Sequence, residues 1–275
     1  MYHKFVQWSL NLYYLFLLMS ITIDATLQHD SNEGMAHSTM ASLTKGHDDS
    51  IVVFFKPSDL KMGKVIPTIF QGRNQSSHFL PREKSELIPF SSSKLPYLLQ
   101  LFGISQDSIR GEAMKTALNE CETSPIHGET KTCATSLESM LDFVHEIFGK
   151  NIKFQALTTQ NKGKSIVQKY RIVAKPTQIW APKMVACHTI PYPYVVYYCH
   201  YHKSESKVFK VILMGENGDM VEAVVVCHMD TSQWSPDHSS FKELDTKPGQ
   251  SPVCHFFPDD NLLWVPLRNG RGVFS

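Results

Sequence analysis

The chain has 275 residues, with 27 Lys and Arg against 26 Asp and Glu, which leaves a formal net charge of +1 at neutral pH. A chain this close to neutral lacks the basic face that attracts nucleic acids and anionic membrane surfaces, so we expect neither partner. Its hydrophobic content of 42% is sufficient for a packed core.

The first 25 residues have the pattern of a secretory signal peptide. His3 and Lys4 precede an apolar stretch from Leu10 to Ile23, and Ala25 offers a small residue for cleavage. The stretch is short for a membrane anchor, and no later segment reaches the roughly eighteen apolar residues that a spanning helix needs. We therefore expect a protein of the secretory pathway with no membrane partner.

A short polar linker, residues 26–50, precedes the predicted domain, residues 51–275. The linker is rich in Ser, Thr, Asp, His and Gly and shows almost no hydrophobic periodicity. The domain opens with a predicted strand at residues 51–55 and continues through a proline-rich stretch. Asn74 lies there in the one glycosylation sequon, Asn-Gln-Ser.

Two helices are predicted next, at residues 108–120 and 135–148, because apolar residues recur there at helical spacing. Gly149 ends the second helix. At its start, the order Thr135-Ser-Leu-Glu138 predicts a capping box, whereas Ser136 with Ser139 does not match that pattern.

Cys121 and Cys133 flank the loop between these helices. A disulfide there would close a short loop, a constraint worth about 3 kcal/mol. A redox-active pair is the alternative, but that chemistry needs an exposed thiolate, for which the sequence gives no sign. We interpret the pair as structural.

From residue 151 onward the pattern changes to strands. The turn Asn217-Gly218 predicts a hairpin between two of them. Helices followed by mainly antiparallel strands predict an α+β fold. The predicted strands are residues 152–158, 167–174, 179–188, 194–201, 208–214 and 220–228.

One dipeptide, Cys-His, recurs four times in the last third of the chain. The pairs begin at Cys187, Cys199, Cys227 and Cys254, with spacers of ten, twenty-six and twenty-five residues, and a further spacer of eight residues separates the last pair from Trp264. Apolar or aromatic residues precede the first three pairs, as in buried strands. Four of the six cysteines lie in these pairs, which chance does not produce.

Strand geometry predicts separate functions for the Cys and the His of each pair. Successive side chains of a strand point to opposite faces, so a Cys and its adjacent His do not converge on one ion. We expect the thiols to pair as disulfides in an oxidising compartment, although three connectivities of these four cysteines remain open. We expect His188, His200, His228 and His255 to share a metal site suited to copper, zinc or nickel. The alternative is four histidines that pack against strands for unrelated reasons.

The complete pattern is similar to the signature of the plant BURP-domain family. The resemblance covers residues 51–265 and includes Phe54-Phe55, Cys121-Glu122 and the block from Gly128 to Met140. No long repeat separates the signal peptide from the domain, so the chain resembles the short members of the unknown-seed-protein and embryonic-abundant type.

The resemblance implies two classes of function. One is a secreted, disulfide-stabilised module of seeds or cell walls that binds copper through the four repeated histidines, without turnover. Its setting would be the cell wall, with cell-wall components as partners, or a protein storage vacuole. The alternative is a copper-dependent peptide cyclase, as some family members are, which crosslinks Tyr or Trp side chains.

The linker sequence bears on the cyclase alternative. Residues 27–50 contain no Tyr and no Trp, so we expect a cyclase of this kind to act on a separate small peptide rather than on itself. Trp264 belongs to the signature and is expected in the core or in the wall of the site. No Ser-His-Asp order, phosphate loop or carboxylate pair stands out, so the sequence assigns no catalytic residue.

Overall fold

The computed structural model describes residues 52–70, 78–163 and 165–268. The predicted signal peptide, the whole linker and the sequon at Asn74 lie outside these ranges. Within them, none of the helices is long and apolar enough to cross a membrane.

Five α-helices occur in the described part of the chain, and two short 3₁₀ helices, Pro57–Asp59 and Ser92–Lys94, accompany them. The two predicted helices are present. The α-helices are α1 (Arg82–Ser85), α2 (Leu95–Leu101), α3 (Ile109–Glu122), α4 (Leu137–Phe148) and α5 (Ser239–Glu243).

Serine side chains cap both long helices. The Gly111 N–H of α3 donates to the Ser108 hydroxyl. At the start of α4, the Ser139 N–H donates to the Ser136 hydroxyl, and the Ser139 hydroxyl completes the capping box at the Ser136 N–H. The predicted box of Thr135 and Glu138 is therefore wrong by one residue, because the chain stays extended through Ser136 and enters the helix only at Leu137.

Thirteen strands of the described residues form two sheets in which every pairing is antiparallel. Their bounds, in chain order, are β1 (Phe54–Phe55), β2 (Val65–Thr68), β3 (Glu129–Ala134), β4 (Phe154–Leu157), β5 (Gln160–Asn161), β6 (Gln168–Ile172), β7 (Thr177–Ile179), β8 (Val185–Ile190), β9 (Val196–His202), β10 (Ser206–Gly215), β11 (Met220–His228), β12 (Val253–Phe257) and β13 (Leu262–Pro266).

Sheet A has the strand order β1-β12-β11-β10-β6-β2, with β5 paired to β11 and β7 paired to β10. Sheet B has the order β3-β9-β8-β13-β4. The expected α+β class with mainly antiparallel sheets is confirmed. The expected order, helices first and strands after them, is wrong, because β1 and β2 precede the first α-helix and β3 lies between the two long helices.

Two further local predictions differ from the structure. The loop between α3 and α4 contains β3, whose polar sequence Glu-Thr-Lys-Thr-Cys-Ala has no apolar alternation but pairs with β9 along its whole length. The predicted strand 179–188 is two strands, β7 in sheet A and β8 in sheet B. The chain crosses between the sheets in the intervening segment, where Pro182 cannot donate a ladder hydrogen bond.

The core has three layers around the two sheets. Between the sheets, apolar residues of both pack together, among them Ala186 and Leu263 of sheet B and Val226 and Phe257 of sheet A. The outer face of sheet B packs against α4. The side chains on the other face of sheet A pack mainly against one another. The sheet is curved, so that its two edges approach and the Val52 N–H donates to the Pro67 carbonyl.

The packing of α4 on sheet B gives a stability test. Phe143 is 5% exposed and lies in one cluster with Cys187 and Cys199, so Phe143→Ala is expected to lower the unfolding free energy by about 3–5 kcal/mol in urea titrations. Leu137 of the same helix is 43% exposed, and Leu137→Ala is the control, with an expected change within about 0.5 kcal/mol. Equal losses in both variants would contradict the packing.

Candidate metal centre

All six cysteines form disulfides, as predicted. Cys121–Cys133 joins the last turn of α3 to β3, with Cα atoms 5.8 Å apart. The connectivity that the sequence left open is Cys187–Cys199 and Cys227–Cys254.

These last two disulfides each join directly opposite residues of neighbouring antiparallel strands. Cys187 of β8 faces Cys199 of β9 with Cα atoms 4.0 Å apart, and Cys227 of β11 faces Cys254 of β12 at 3.9 Å. All four cysteines are fully buried, on the faces that point away from the space between the sheets. Each sheet therefore carries one fixed strand register.

This register places the histidines in pairs on the reverse faces. His188 lies opposite Tyr198, and His200 lies opposite Ala186, so the two histidines are diagonal neighbours on one face of sheet B. His228 and His255 have the same relation on sheet A. Because side chains alternate along a strand, both pairs face the layer between the sheets.

The four imidazoles meet there as one group, which we call the histidine cluster: His188, His200, His228 and His255. Ring centroids are 5.4 Å apart for His188 and His200 and 5.6 Å apart for His228 and His255. His188 and His255 connect the two sheets at 6.4 Å, and both rings contact Phe257. The expected separation of thiols and imidazoles on opposite faces is thus what the fold shows.

Each imidazole has a neighbour at its Nδ1 atom. His200 Nδ1 lies 3.2 Å from Glu129 Oε1, and His255 Nδ1 lies 3.1 Å from the Phe256 carbonyl oxygen. His228 Nδ1 lies 3.5 Å from the Ser206 hydroxyl, and His188 Nδ1 lies 2.9 Å from Asn261 Nδ2. Such contacts at one ring nitrogen orient the other nitrogen, which is the role of outer-shell partners in metal sites.

Glu129 provides a negative charge in contact with the cluster. Burial acts to raise the pKa of its carboxyl group, but the hydrogen bond and charge of His200 and the Ile126 N–H outweigh it, so the pKa lies below its ordinary value. Tyr198 also donates its hydroxyl to Glu129, and burial beside that carboxylate raises the tyrosine pKa. Glu129 is therefore ionised at neutral pH.

His228, in contrast to Glu129, is held in its uncharged form. Burial, followed by repulsion from His255 and other neighbouring histidines, lowers its pKa well below the ordinary value. At neutral pH its ring is uncharged, which is the form that binds metals.

Aromatic side chains cover the sheet A end of the cluster. The Trp234 ring is 5.0 Å from His228 and 4.5 Å from His238, while Phe54 is 6.4 Å from His255. Four residues of the site were not predicted from the sequence: Glu129, Asn261, Trp234 and His238. Glu129 lies in the block from Gly128 to Met140, which carries part of the family resemblance, so only its role was missed. The other three residues are brought to the site by the tertiary fold.

Trp264, the signature aromatic residue, lies elsewhere. Its indole N–H points at the Met140 sulfur of α4 at 3.3 Å, and its ring packs edge-on against Phe154. It belongs to the core between α4 and sheet B, one of the two expected locations.

The cluster partly meets the geometry of a metal site. With metal–nitrogen distances of about 2.0–2.1 Å, the ring centroids of two tetrahedral ligands lie roughly 5 Å apart. The observed separations are larger, at 5.4 Å and 5.6 Å within the two pairs and 6.4 Å between them. Across residues 52–70, 78–163 and 165–268, no three His, Cys, Asp or Glu side chains are already arranged to hold an ion. The donor types fit a metal, but ligation requires the imidazole rings to move closer together than they lie in this structure.

Comparison with known proteins identifies the family. The model of the BURP domain matches residues 53–266, which is most of the chain. The chain belongs to the BURP-domain family. The four Cys-His pairs and Trp264 all lie within the matched BURP domain.

Curated plant relatives align along almost the whole chain. The BURP domain-containing protein BNM2C of Brassica napus is 42% identical over 260 residues, which cover 91% of this chain and 92% of that protein. The BURP domain protein USPL1 of Arabidopsis thaliana is 39% identical over 94% of this chain and 95% of its own length. The BURP domain protein RD22 of the same plant is 41% identical, but the alignment spans 58% of its length.

The two halves of one Cys-His pair should respond differently to substitution. Cys227→Ala removes a cross-link that closes a 27-residue separation, which is expected to lower the unfolding free energy by about 3–4 kcal/mol and to reduce the yield of folded protein. His228→Ala is expected to cost about 1 kcal/mol or less, because the residue is only half-buried and lies at the margin of the apolar layer. The yield of folded protein and the thermal unfolding of both variants measure this difference. Equal damage by both substitutions would mean that His228 is structural.

Proposed function

We propose that this BURP domain binds one transition-metal ion, with copper favoured, at the cluster of His188, His200, His228 and His255. The observation that carries the proposal is the meeting of four imidazoles from two separate sheets between their faces. Imidazoles that pack for unrelated reasons would not be expected to share one place, one face of each sheet and a polar neighbour at each Nδ1.

The donor chemistry favours copper. Since all six cysteines are in disulfides, thiolate ligands are absent and the site offers nitrogen donors. Imidazole suits copper, zinc and nickel, and among these Cu²⁺ forms the most stable complexes with a given nitrogen site. Bound copper would supply one-electron chemistry.

The residues around the cluster would each have a defined task. Glu129 would accept the Nδ1 hydrogen of His200 and supply negative charge to balance the ion. The Phe256 carbonyl would accept the Nδ1 hydrogen of His255. Trp234 and Phe54 would limit the access of water from the side of sheet A.

The three disulfides support a location outside the reducing cytosol. Together with the predicted signal peptide and the family resemblance, they support a secreted module of seed or cell-wall settings, with cell-wall components as candidate partners.

Copper binding is directly testable. We expect about one Cu²⁺ per chain in competition titrations. His200→Ala and His255→Ala should weaken binding by more than the roughly 10–100-fold that the loss of an outer-shell partner costs. Binding should also weaken as the pH falls below about 6, because protonated imidazoles do not bind metals.

His127→Ala is the matched control, since His127 is exposed and its side chain lies outside the histidine cluster. Wild-type protein that takes up no Cu²⁺, or a His127→Ala variant that loses as much affinity as His200→Ala, would refute the proposed site.

Peptide crosslinking is the second candidate function, and two aromatic contacts bear on it. The Tyr198 ring is 5.4 Å from His200, and the Trp234 ring is 5.0 Å from His228, so aromatic side chains can approach the cluster closely. The copper-loaded protein would then form a bond to a Tyr or Trp side chain of a small peptide, and dioxygen would take up the two hydrogen atoms and two electrons that are lost, as hydrogen peroxide.

Mass spectrometry of copper-loaded protein incubated in air with Tyr- and Trp-containing peptides tests the crosslinking. A crosslink removes two hydrogen atoms from the peptide, and the product should be absent with His200→Ala. If wild-type protein that binds copper leaves all such peptides unchanged, the module is a binding protein for this substrate class.

A further inference from the structure

The groups next to the Nδ1 atoms of the histidine cluster differ in whether they donate or accept a hydrogen bond. The Glu129 carboxylate and the Phe256 carbonyl can only accept, so the rings of His200 and His255 hold a hydrogen on Nδ1. In a neutral imidazole the other nitrogen, Nε2, then carries a lone pair. His188 has a different neighbour, the side-chain amide of Asn261.

The orientation of the Asn261 amide follows from its contacts. Asn261 is fully buried, and its Oδ1 atom lies 3.1 Å from the backbone nitrogen of Thr189. A backbone N–H can only donate, so the amide atom facing it must be the oxygen. The Nδ2 group therefore faces His188 Nδ1 at 2.9 Å and donates to it.

The turn that carries Asn261 is fixed to sheet B. The Thr189 hydroxyl donates to the Asp260 carboxylate at 2.8 Å, and the Tyr197 hydroxyl donates to the Asp260 backbone carbonyl at 2.8 Å. Rotating the amide by half a turn would bring its NH₂ group against the Thr189 N–H and leave a buried donor unsatisfied. The amide is thus held in one orientation.

We propose that Asn261 is a positioning residue that keeps the ring hydrogen of His188 on Nε2, so that His188 presents a hydrogen-bond donor to the cluster while His200 and His255 present lone pairs. The consequence for function rests on the metal site proposed above. His188 is then the weakest metal ligand of the four and serves an oxygen or anionic ligand as a donor. Three protein ligands with an open position are typical of catalytic metal sites, whereas structural sites are closed.

The ring hydrogen can be located without any metal. In ¹⁵N-labelled, metal-free protein at about pH 8, where ordinary imidazoles are neutral, long-range ¹H–¹⁵N correlation spectra distinguish the two neutral forms of each ring. We expect the His188 hydrogen on Nε2 and the His200 and His255 hydrogens on Nδ1, with the His188 signals assigned by their loss in His188→Gln. A hydrogen on Nδ1 of His188 in the wild type would overturn the proposal.

Asn261→Asp changes the polarity of the neighbour at nearly constant shape. A carboxylate accepts both the Thr189 N–H and a His188 Nδ1 hydrogen, so the ring hydrogen should move to Nδ1 and release Nε2 as a ligand. Since outer-shell partners change metal affinity by about 10–100-fold, we expect Cu²⁺ to bind roughly tenfold more tightly to Asn261→Asp. In the wild type, His188→Ala should weaken Cu²⁺ binding less than tenfold and much less than His200→Ala does.

Two controls separate ring orientation from added charge. Asn151→Asp introduces the same charge at an exposed position and should leave Cu²⁺ affinity unchanged. The double variant His188→Ala/Asn261→Asp should lose the gain, because the gain acts through His188. A gain that persists without His188, no gain at all, or a His188→Ala loss equal to that of His200→Ala would each contradict the proposal.

The two proposals fail in different ways. Wild-type protein that binds no Cu²⁺ refutes the metal site, whereas the spectra of the metal-free protein still locate the His188 hydrogen. If Asn261→Asp does not fold, the wild-type spectra and the affinity of His188→Ala test the role of Asn261 without it.

Discussion

The two cross-strand disulfides are the constraint on which the histidine cluster depends. Each joins directly opposite residues of two antiparallel strands, Cys187 with Cys199 and Cys227 with Cys254. Once that register is fixed, the residue after each cysteine must lie on the reverse face, diagonal to its counterpart. The covalent bond on one face of each sheet thereby sets the positions of two imidazoles on the other face.

The strand register alone gives two separate pairs of histidines, one on each sheet. The packing of the two sheets brings these pairs together. Residues such as Val226 and Leu263 form the apolar layer between the sheets, and the histidines extend that layer. Phe257 contacts rings from both sheets, His188 and His255. The apolar layer also explains why His228 stays uncharged, because burial disfavours the cation. Hydrophobic packing thus both assembles the cluster and selects the form that can bind a metal.

Much of the local structure could be predicted because its signals are local. The helix periodicity, the hairpin at Asn217-Gly218 and the alternation within each Cys-His pair depend on neighbours a few residues apart. Strand β3 could not be found in this way, since its polar residues gain order from pairing with β9, about seventy residues away. The capping shift to Ser136 depends on where β3 ends, and so on the same long-range pairing.

Sequence alone establishes that the chain has four Cys-His pairs of a BURP domain, and that thiols and imidazoles must separate, because a strand alternates its faces. It leaves open which thiols pair, since that depends on strand neighbours. The three-dimensional fold was needed to show that both histidine pairs face the same layer. It was also needed to show that Glu129 and Asn261, from distant segments, lie against the Nδ1 atoms of His200 and His188. These contacts depend on the docking of whole sheets, for which a single sequence carries no local signal.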